Sequence, residues 1–176
     1  SQSLRAWFAH IPGLKIVIPS TPKDAKGLLL SSIFDDNPVI FMEHRWLHNQ
    51  KEEVQEGDFR IPIGKANVII EGTDVSVISM SYLTLEAQRA IKFLKQEYSI
   101  SCELVDLRTI SPLDWETVYA TVRKTGRVIV LDTGATTGSV AGEIVARIAM
   151  NLFSQLKTAP RRIASPDVPT PCLLYT

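Results

Sequence analysis

Three short apolar stretches, separated by segments with helical periodicity, limit what this chain can fold into. Residues 75–80, 102–107 and 127–131 are rich in β-branched and other apolar side chains, as buried strands are. Asp114 follows Ser111 and Pro112 and occupies the N-cap position of a helix predicted to reach Lys124. The segment before it has apolar residues at helical spacing, namely Leu83, Ala87, Ala90, Ile91 and Leu94. This alternation predicts an α/β fold with a parallel sheet covered on both faces.

A smaller set of elements precedes these stretches. We predict a helix over residues 1–10 with Leu4, Trp7 and Phe8 on one face. A strand over residues 14–19, a helix from about Pro22 to Ile33 and a strand over residues 38–42 should follow. Residues 48–59 are polar and indicate a linker. We therefore place one unit at residues 1–56 and a second at residues 57–176.

The second unit should contain a mixed sheet. Residues 64–72 form a further predicted strand, and only four residues, 71–74, join it to the strand at 75–80. A parallel return needs a dozen or more residues, so we expect these two strands to pair with each other antiparallel. A helix over about residues 139–155 and a strand over 161–164 complete the unit.

Charge and cysteine content exclude several classes of protein. The 19 basic and 19 acidic residues balance without a block of like charge, which argues against nucleic acid or anionic lipid as a partner. The apolar runs are too short to cross a membrane, and no charged-then-apolar leader opens the chain. Cys102 and Cys172 do not form a Cys-x-x-Cys pair, which favours reduced, buried thiols. We therefore expect a soluble intracellular protein.

The histidines are the first candidates for chemistry. His44 and His48 are four residues apart and would share a face of a helix, where they could bind zinc. The metalloprotease motif places its glutamate after the first histidine, whereas Glu43 precedes His44. We therefore favour the interpretation that His44 and His48 are surface or interface residues over the interpretation that they bind a metal. His10 also lies in the first third of the chain, so imidazole acid–base chemistry would belong there.

Two other groups lie at predicted strand ends. Gly134, Gly138 and Gly142 open a helix and could receive an anion at its N-terminus, but the spacing fits neither the dinucleotide fingerprint nor the P-loop. We favour a tight turn with close helix packing. Three charged residues could line a crevice, although we favour strand-end ion pairs or helix caps for them. They are Asp106, Arg108 and Asp132.

Several blocks of the sequence, in order, carry a family resemblance. They are residues 1–20, 24–28, 37–43, 61–66, 106–114, 124–128 and 167–171. These blocks resemble the β subunit of the thiamine-diphosphate-dependent decarboxylase component of 2-oxo acid dehydrogenase complexes, which act on pyruvate or branched-chain 2-oxo acids. The chain departs from the family pattern between Gly134 and Gly142, where only Gly142, Glu143 and Ile144 match.

The resemblance implies a fold and also implies where the catalytic residues of the enzyme lie. Residues 1–56 would be the second half of a transketolase-like pyrimidine-binding domain, forming a partial parallel unit. Residues 57–176 would be a three-layer α/β/α domain like the transketolase C-terminal domain, with a mixed five-stranded sheet. In the family a catalytic histidine immediately precedes the residues matching Ser1 and Gln2, and the glutamate that activates the cofactor lies further upstream. We therefore predict a C-terminal fragment that has no catalytic residue of its own and is inactive alone.

The resemblance also implies cofactors and partners. Thiamine diphosphate and magnesium would be held by the α subunit of an α2β2 enzyme, which docks on a dihydrolipoyl acyltransferase core. A potassium ion would be bound by Ser32 and Ile33 through carbonyls and by Asp35 and Asn37, oxygen donors that suit a hard cation. The location would be bacterial cytoplasm or mitochondrial matrix. The alternatives are a non-catalytic assembly or docking module and a relative of transketolase or deoxyxylulose phosphate synthase.

Overall fold

The structure, a computed structural model, describes residues 3–169. Helices alternate with strands along this part of the chain, which confirms the predicted α/β class. The helices are α1 (Arg5–Ala9), α2 (Pro22–Ile33), α3 (Tyr82–Tyr98), α4 (Trp115–Thr125) and α5 (Val140–Leu152). The strands are β1 (Lys15–Val17), β2 (Val39–Phe41), β3 (Asn67–Ile70), β4 (Val75–Ser79), β5 (Cys102–Asp106), β6 (Thr109–Ser111), β7 (Val128–Ala135) and β8 (Arg161–Ser165). None of the helices within residues 3–169 is long and apolar enough to cross a membrane.

The larger sheet has five strands in the order β3-β5-β4-β7-β8. Strands β5, β4, β7 and β8 run parallel, and β3 runs antiparallel to β5. The mixed five-stranded sheet is therefore confirmed. However, the predicted pairing of β3 with β4 is wrong, because β5 lies between them.

The short link between β3 and β4 passes over the start of β5. The amides of Thr73 and Asp74 both donate to the carbonyl of Ser101, at 3.1 and 2.8 Å. A Cβ on Gly72 would lie 2.2 Å from the carbonyl carbon of Cys102. Four residues therefore suffice to step across one strand, since glycine lets the two backbones approach closely.

The smaller sheet has three strands in the order β2-β1-β6. Strands β1 and β2 are parallel, as the strand–helix–strand pattern predicts, and β6 pairs antiparallel with β1. We predicted a turn, not a strand, at β6. Thr109 and Ser111 of β6 pair with Val17 and Ile16, which lie more than ninety positions earlier in the chain. No local sequence pattern reports so distant a partner.

Helix starts follow the capping residues in the sequence. Thr21 accepts a hydrogen bond from the amide of Asp24, and Pro22 is the first residue of α2. Asp114 accepts from the amide of Thr117 at the start of α4, as predicted, and Ser139 accepts from Gly142 at the start of α5. These bonds satisfy amides that would otherwise have no partner in the first turn.

One hydrophobic core joins the two sheets. Ile16 and Ile18 from the β1 region pack in the same cluster as Ile78 and Met80 from the end of β4. All four side chains are at most 3% exposed. Cys102 belongs to a second cluster under α3 and is buried, as predicted, whereas Cys172 lies outside the described residues. The proposed boundary between residues 56 and 57 stays a prediction.

Candidate functional site

A buried charge cluster lies at the carboxyl end of β5, the end of a parallel strand where α/β proteins place ligands. The Arg108 guanidinium contacts the carboxylate of Asp24 on α2 at 2.6 Å, and both side chains are largely buried. Arg108 has a φ of 56°, and its amide donates to Asp106 at 3.2 Å. The charged contact therefore connects α2 to the larger sheet. This confirms the strand-end ion pair that we favoured for Arg108.

Asp106 is the most perturbed carboxyl group of the cluster. It is completely buried, and burial raises its pKa to about 7, with the Asp24 charge acting in the same direction. The nearby Ser20 hydroxyl and Arg108 lower the pKa by smaller amounts. Oδ2 of Asp106 has no hydrogen-bond partner among residues 3–169. A buried carboxyl with an unpaired oxygen favours its protonated form.

A chain of hydroxyl groups extends the cluster. Ser20 donates to Thr84 at 3.2 Å, and the hydroxyls of Thr84 and Ser79 are 3.0 Å apart. Ser20 precedes α2, Ser79 ends β4 and Thr84 lies in α3. The cluster therefore connects three elements through buried polar contacts, and its closed geometry indicates a structural role.

The loop after β7 is held by internal hydrogen bonds. Strand β7 continues to Ala135, four residues beyond the predicted end, because Ala135 pairs with Ser165 of β8. Asp132 accepts from the amides of Gly134 at 2.8 Å and Ala141 at 3.2 Å. Asp132 therefore caps α5, as favoured from the sequence.

Carboxylates of the chain itself already accept hydrogen bonds in the loop before α5 and in its first turn. Asp167 accepts from both the amide and the hydroxyl of Thr137, at 2.8 and 2.7 Å. A carboxylate from Asp132 already lies against the first turn of α5. The turn-and-packing interpretation fits these bonds.

His44 and His48 do not lie on one face of an α-helix in the structure. Residues Arg45–Leu47 form a single 3₁₀ turn, so the two rings do not share the face of an α-helix. His44 stacks on Tyr82 with ring centroids 4.9 Å apart, and His48 lies 3.7 Å from exposed Glu43. No group of three histidine, cysteine, aspartate or glutamate residues suited to a metal occurs in the described part of the chain.

The predicted potassium residues lie together where α2 ends. The carbonyl of Ser32 accepts from the amide of Asp35 at 3.4 Å, and Asn37 donates through its amide and side chain to Asp35. Lys15 contacts both carboxylate oxygens of Asp35, at 2.8 and 2.6 Å. These bonds, the one from Lys15 foremost, lower the pKa of Asp35 to about 2. The residues fit a cation only in part, because Lys15 already balances the Asp35 charge.

Sequence reasoning missed the buried partners of these groups. Arg5 is 4% exposed, although Leu4 and Trp7 beside it are exposed. The predicted apolar face of α1 is therefore buried only in part, because Phe8 packs against the core while Arg5 occupies a buried position. Asp24 gave only a helix-start signal. No sequence signal indicated the backbone conformation of Ser81, because serine rarely adopts a φ of 55°.

Two family models match successive parts of the chain. The chain matches the transketolase C-terminal domain over residues 64–173 and the transketolase pyrimidine binding domain over residues 1–50. It is also similar to a solved structure described as a split gene transketolase, inactive beta4 tetramer. The TM-score is 0.78 at 22% identity, over 93% of this chain and 52% of that one. That likeness shows the fold.

Curated relatives are similar over almost the whole chain. The beta subunit of acetoin:2,6-dichlorophenolindophenol oxidoreductase from Cupriavidus necator is 44% identical, over 97% of this chain and 50% of that protein. The mitochondrial 2-oxoisovalerate dehydrogenase subunit beta of Dictyostelium discoideum is 44% identical, over 98% and 47%. The pyruvate dehydrogenase E1 component subunit beta of Bacillus subtilis is also 44% identical, over 97% and 53%. The chain thus spans about half the length of the curated relatives it matches.

The mixed sheet fits the C-terminal domain match, and the match over residues 64–173 covers more than half of the 176 residues. The chain belongs to the transketolase family, through that C-terminal domain.

Proposed function

We propose that this chain is part of the β subunit of a thiamine-diphosphate-dependent 2-oxo acid dehydrogenase. The parent enzyme would decarboxylate a 2-oxo acid oxidatively and pass the acyl group to lipoyl-lysine. The observation that carries the proposal is the similarity, at 44% identity along nearly all of the chain, to beta subunits named for pyruvate and 2-oxoisovalerate dehydrogenases. Such an enzyme would work in bacterial cytoplasm or in the mitochondrial matrix.

The proposal assigns the cofactor chiefly to a partner. From the resemblance to these β subunits, we propose that the α subunit of an α2β2 enzyme holds the diphosphate and its metal. Thiamine diphosphate supplies the carbanion-stabilising chemistry when bound. A dihydrolipoyl acyltransferase core would be the further partner. On its own, the chain should not turn over a 2-oxo acid.

Calorimetry with thiamine diphosphate and magnesium tests this division. We expect no binding to the 176-residue chain alone and binding when the α subunit encoded with it is present. Release of carbon dioxide from pyruvate or 2-oxoisovalerate by the isolated chain would contradict the proposal. So would the absence of any complex with the α subunit.

Acetoin is a second candidate substrate for the parent enzyme. The relative from Cupriavidus necator is named for acetoin and is 44% identical to this chain. Supplying acetoin in place of 2-oxo acids to the complex with the α subunit separates the two. Saturable binding of acetoin and none of 2-oxo acids, measured by calorimetry, would favour this candidate.

Potassium binding at Ser32, Ile33, Asp35 and Asn37 is a separate proposal. We expect the chain to melt at a higher temperature in potassium chloride than in sodium chloride of equal ionic strength. Potassium bound at the end of α2 would stabilise the folded chain. Asp35→Asn should remove the difference, and Asp36→Asn, which changes an exposed neighbour, should preserve it. Equal melting temperatures in the two salts would exclude the site.

A further inference from the structure

A cavity of about 310 Å³ lies between α1, the segment after β2 and the start of α3. Its walls include the apolar side chains of Phe8, Ile18 and Met42. Its polar walls come from separate parts of the chain, chiefly Arg5, His44 and Ser81. We call this space the Arg5 cavity. Its size and mixed walls are typical of a small-molecule site.

Arg5 is a buried cation whose hydrogen bonds are incomplete. Its Nε donates to Ser3 at 2.8 Å, and Nη2 donates to Thr133. Nη1 has no hydrogen-bond partner within residues 3–169. The nearest carboxylate oxygen, on Asp132, is 3.8 Å away, and that carboxylate accepts two backbone hydrogen bonds of its own. Burial lowers the pKa of Arg5, but a guanidinium keeps its proton in proteins.

Ser81 contributes a second unpaired donor. It is 1% exposed, and its hydroxyl has no partner in the described part of the chain. Ser81 precedes α3, a helix of 17 residues, and does not cap it with its side chain. Its φ of 55° and ψ of −136° are costly for a residue with a Cβ. Ser81 therefore lines this space at the start of a long helix that lacks the usual side-chain acceptor.

His44 adds a neutral donor. Its Nδ1 accepts from the amide of Trp46 at 3.3 Å, so the proton of the neutral ring is on Nε2. Burial lowers the pKa of His44, and the positive charge of Arg5 lowers it further. Glu43 is exposed at the rim and lies 3.7 Å from His48.

We infer that the Arg5 cavity binds a small oxyanion, either a carboxylate or a phosphate, through Arg5, the Ser81 hydroxyl and the start of α3. An oxyanion would accept hydrogen bonds from Nη1 and from Ser81, two buried donors that lack a partner within residues 3–169. It would also lie at the positive end of the α3 dipole. The inference concerns binding alone and does not depend on the reaction of the parent enzyme.

Titration of the ¹⁵N-labelled 176-residue chain tests the inference. Sodium acetate and sodium phosphate are the probes, and sodium chloride at equal ionic strength is the reference. We expect saturable shifts of the Ser81 and Tyr82 amide signals with at least one oxyanion, and none with chloride. The preferred probe distinguishes a carboxylate from a phosphate ligand. Equal responses to all three salts would overturn the inference.

Two variants and a matched control complete the test. Arg5→Gln should weaken binding by about ten-fold or more, since it removes a charge-assisted hydrogen bond. Arg161→Gln removes an exposed arginine on β8 and should leave the affinity unchanged. Ser81→Gly relieves the backbone strain while removing the hydroxyl, so it should fold well and bind more weakly. If Arg5→Gln does not fold, Ser81→Gly decides, and unchanged affinity in that variant overturns the site.

Discussion

Replacing Asp106 with asparagine should change how the stability of this protein depends on pH. The carboxyl group is completely buried, and its pKa is raised from 3.8 to about 7. Each unit of pKa difference between the folded and unfolded states corresponds to about 1.4 kcal/mol. The full shift of about three units therefore corresponds to about 4 kcal/mol.

The sign follows from which state binds the proton. Below pH 4 the carboxyl is protonated in both the folded and unfolded chain, and its contribution to stability is complete. Between pH 4 and pH 7 the unfolded chain releases the proton while the folded chain keeps it, so the contribution falls as pH rises. Above pH 7 the folded chain must hold a buried negative charge, offset partly by Arg108.

Asp106→Asn mimics the protonated carboxyl at every pH. Urea unfolding at intervals from pH 4.5 to pH 8.5 measures the difference in unfolding free energy between the variant and the parent. We expect a difference within about 1 kcal/mol at the acid end and a gain of about 2–4 kcal/mol for Asp106→Asn at pH 8. Asp36→Asn, at an exposed position, should give a difference that is flat with pH. A loss of stability in Asp106→Asn at pH 8 would refute the reasoning, because it would mean that the ionised carboxylate stabilises the fold.

Three further substitutions test other features. Ser81→Gly should raise the melting temperature by about 2–4 °C, because glycine adopts a φ of 55° without strain, and no rise in a thermal scan would contradict this. Gly72→Ala should destabilise the chain by more than about 2 kcal/mol, because its Cβ would meet the Cys102 backbone at 2.2 Å. Gly138 has a positive φ but open space around its Cα, so Gly138→Ala should cost about 1 kcal/mol in the same urea assay. Arg108→Met should cost about 3–5 kcal/mol by leaving Asp24 buried without its 2.6 Å partner, and adding Asp24→Asn should recover much of that loss. Additive costs in the double variant would show that the ion pair is not the cause.

Features set by local chemistry could be predicted from the sequence. Periodicity located the main helices and strands. The cap Asp114 and Pro22, the first residue of α2, set helix starts close to those observed. Both signals depend on residues within a few positions of each other, so no tertiary information is needed. The short link at residues 71–74 predicted a mixed sheet, and the family resemblance added that it has five strands.

Features set by distant contacts could not be predicted. Strand β6 exists because it pairs with β1, and β3 pairs with β5 because Gly72 lets the link cross a strand. The buried position of Arg5 likewise depends on Thr133, far along the chain. In the candidate site, Asp106 and Arg108 were identified from their strand-end positions. Their partner Asp24 lies on another element, and no spacing rule connects them.

The pairing of β6 with β1 bears on what happens if the backbone is cut. A protease that cleaves the polar segment between β2 and β3 would leave one piece holding two strands of the smaller sheet and the other piece holding the third. The pieces would also share the core that contains Ile16 and Met80. Nicking there should therefore yield two peptides that elute together under native conditions and come apart only in denaturant, so that this polypeptide could be supplied as two complementing halves.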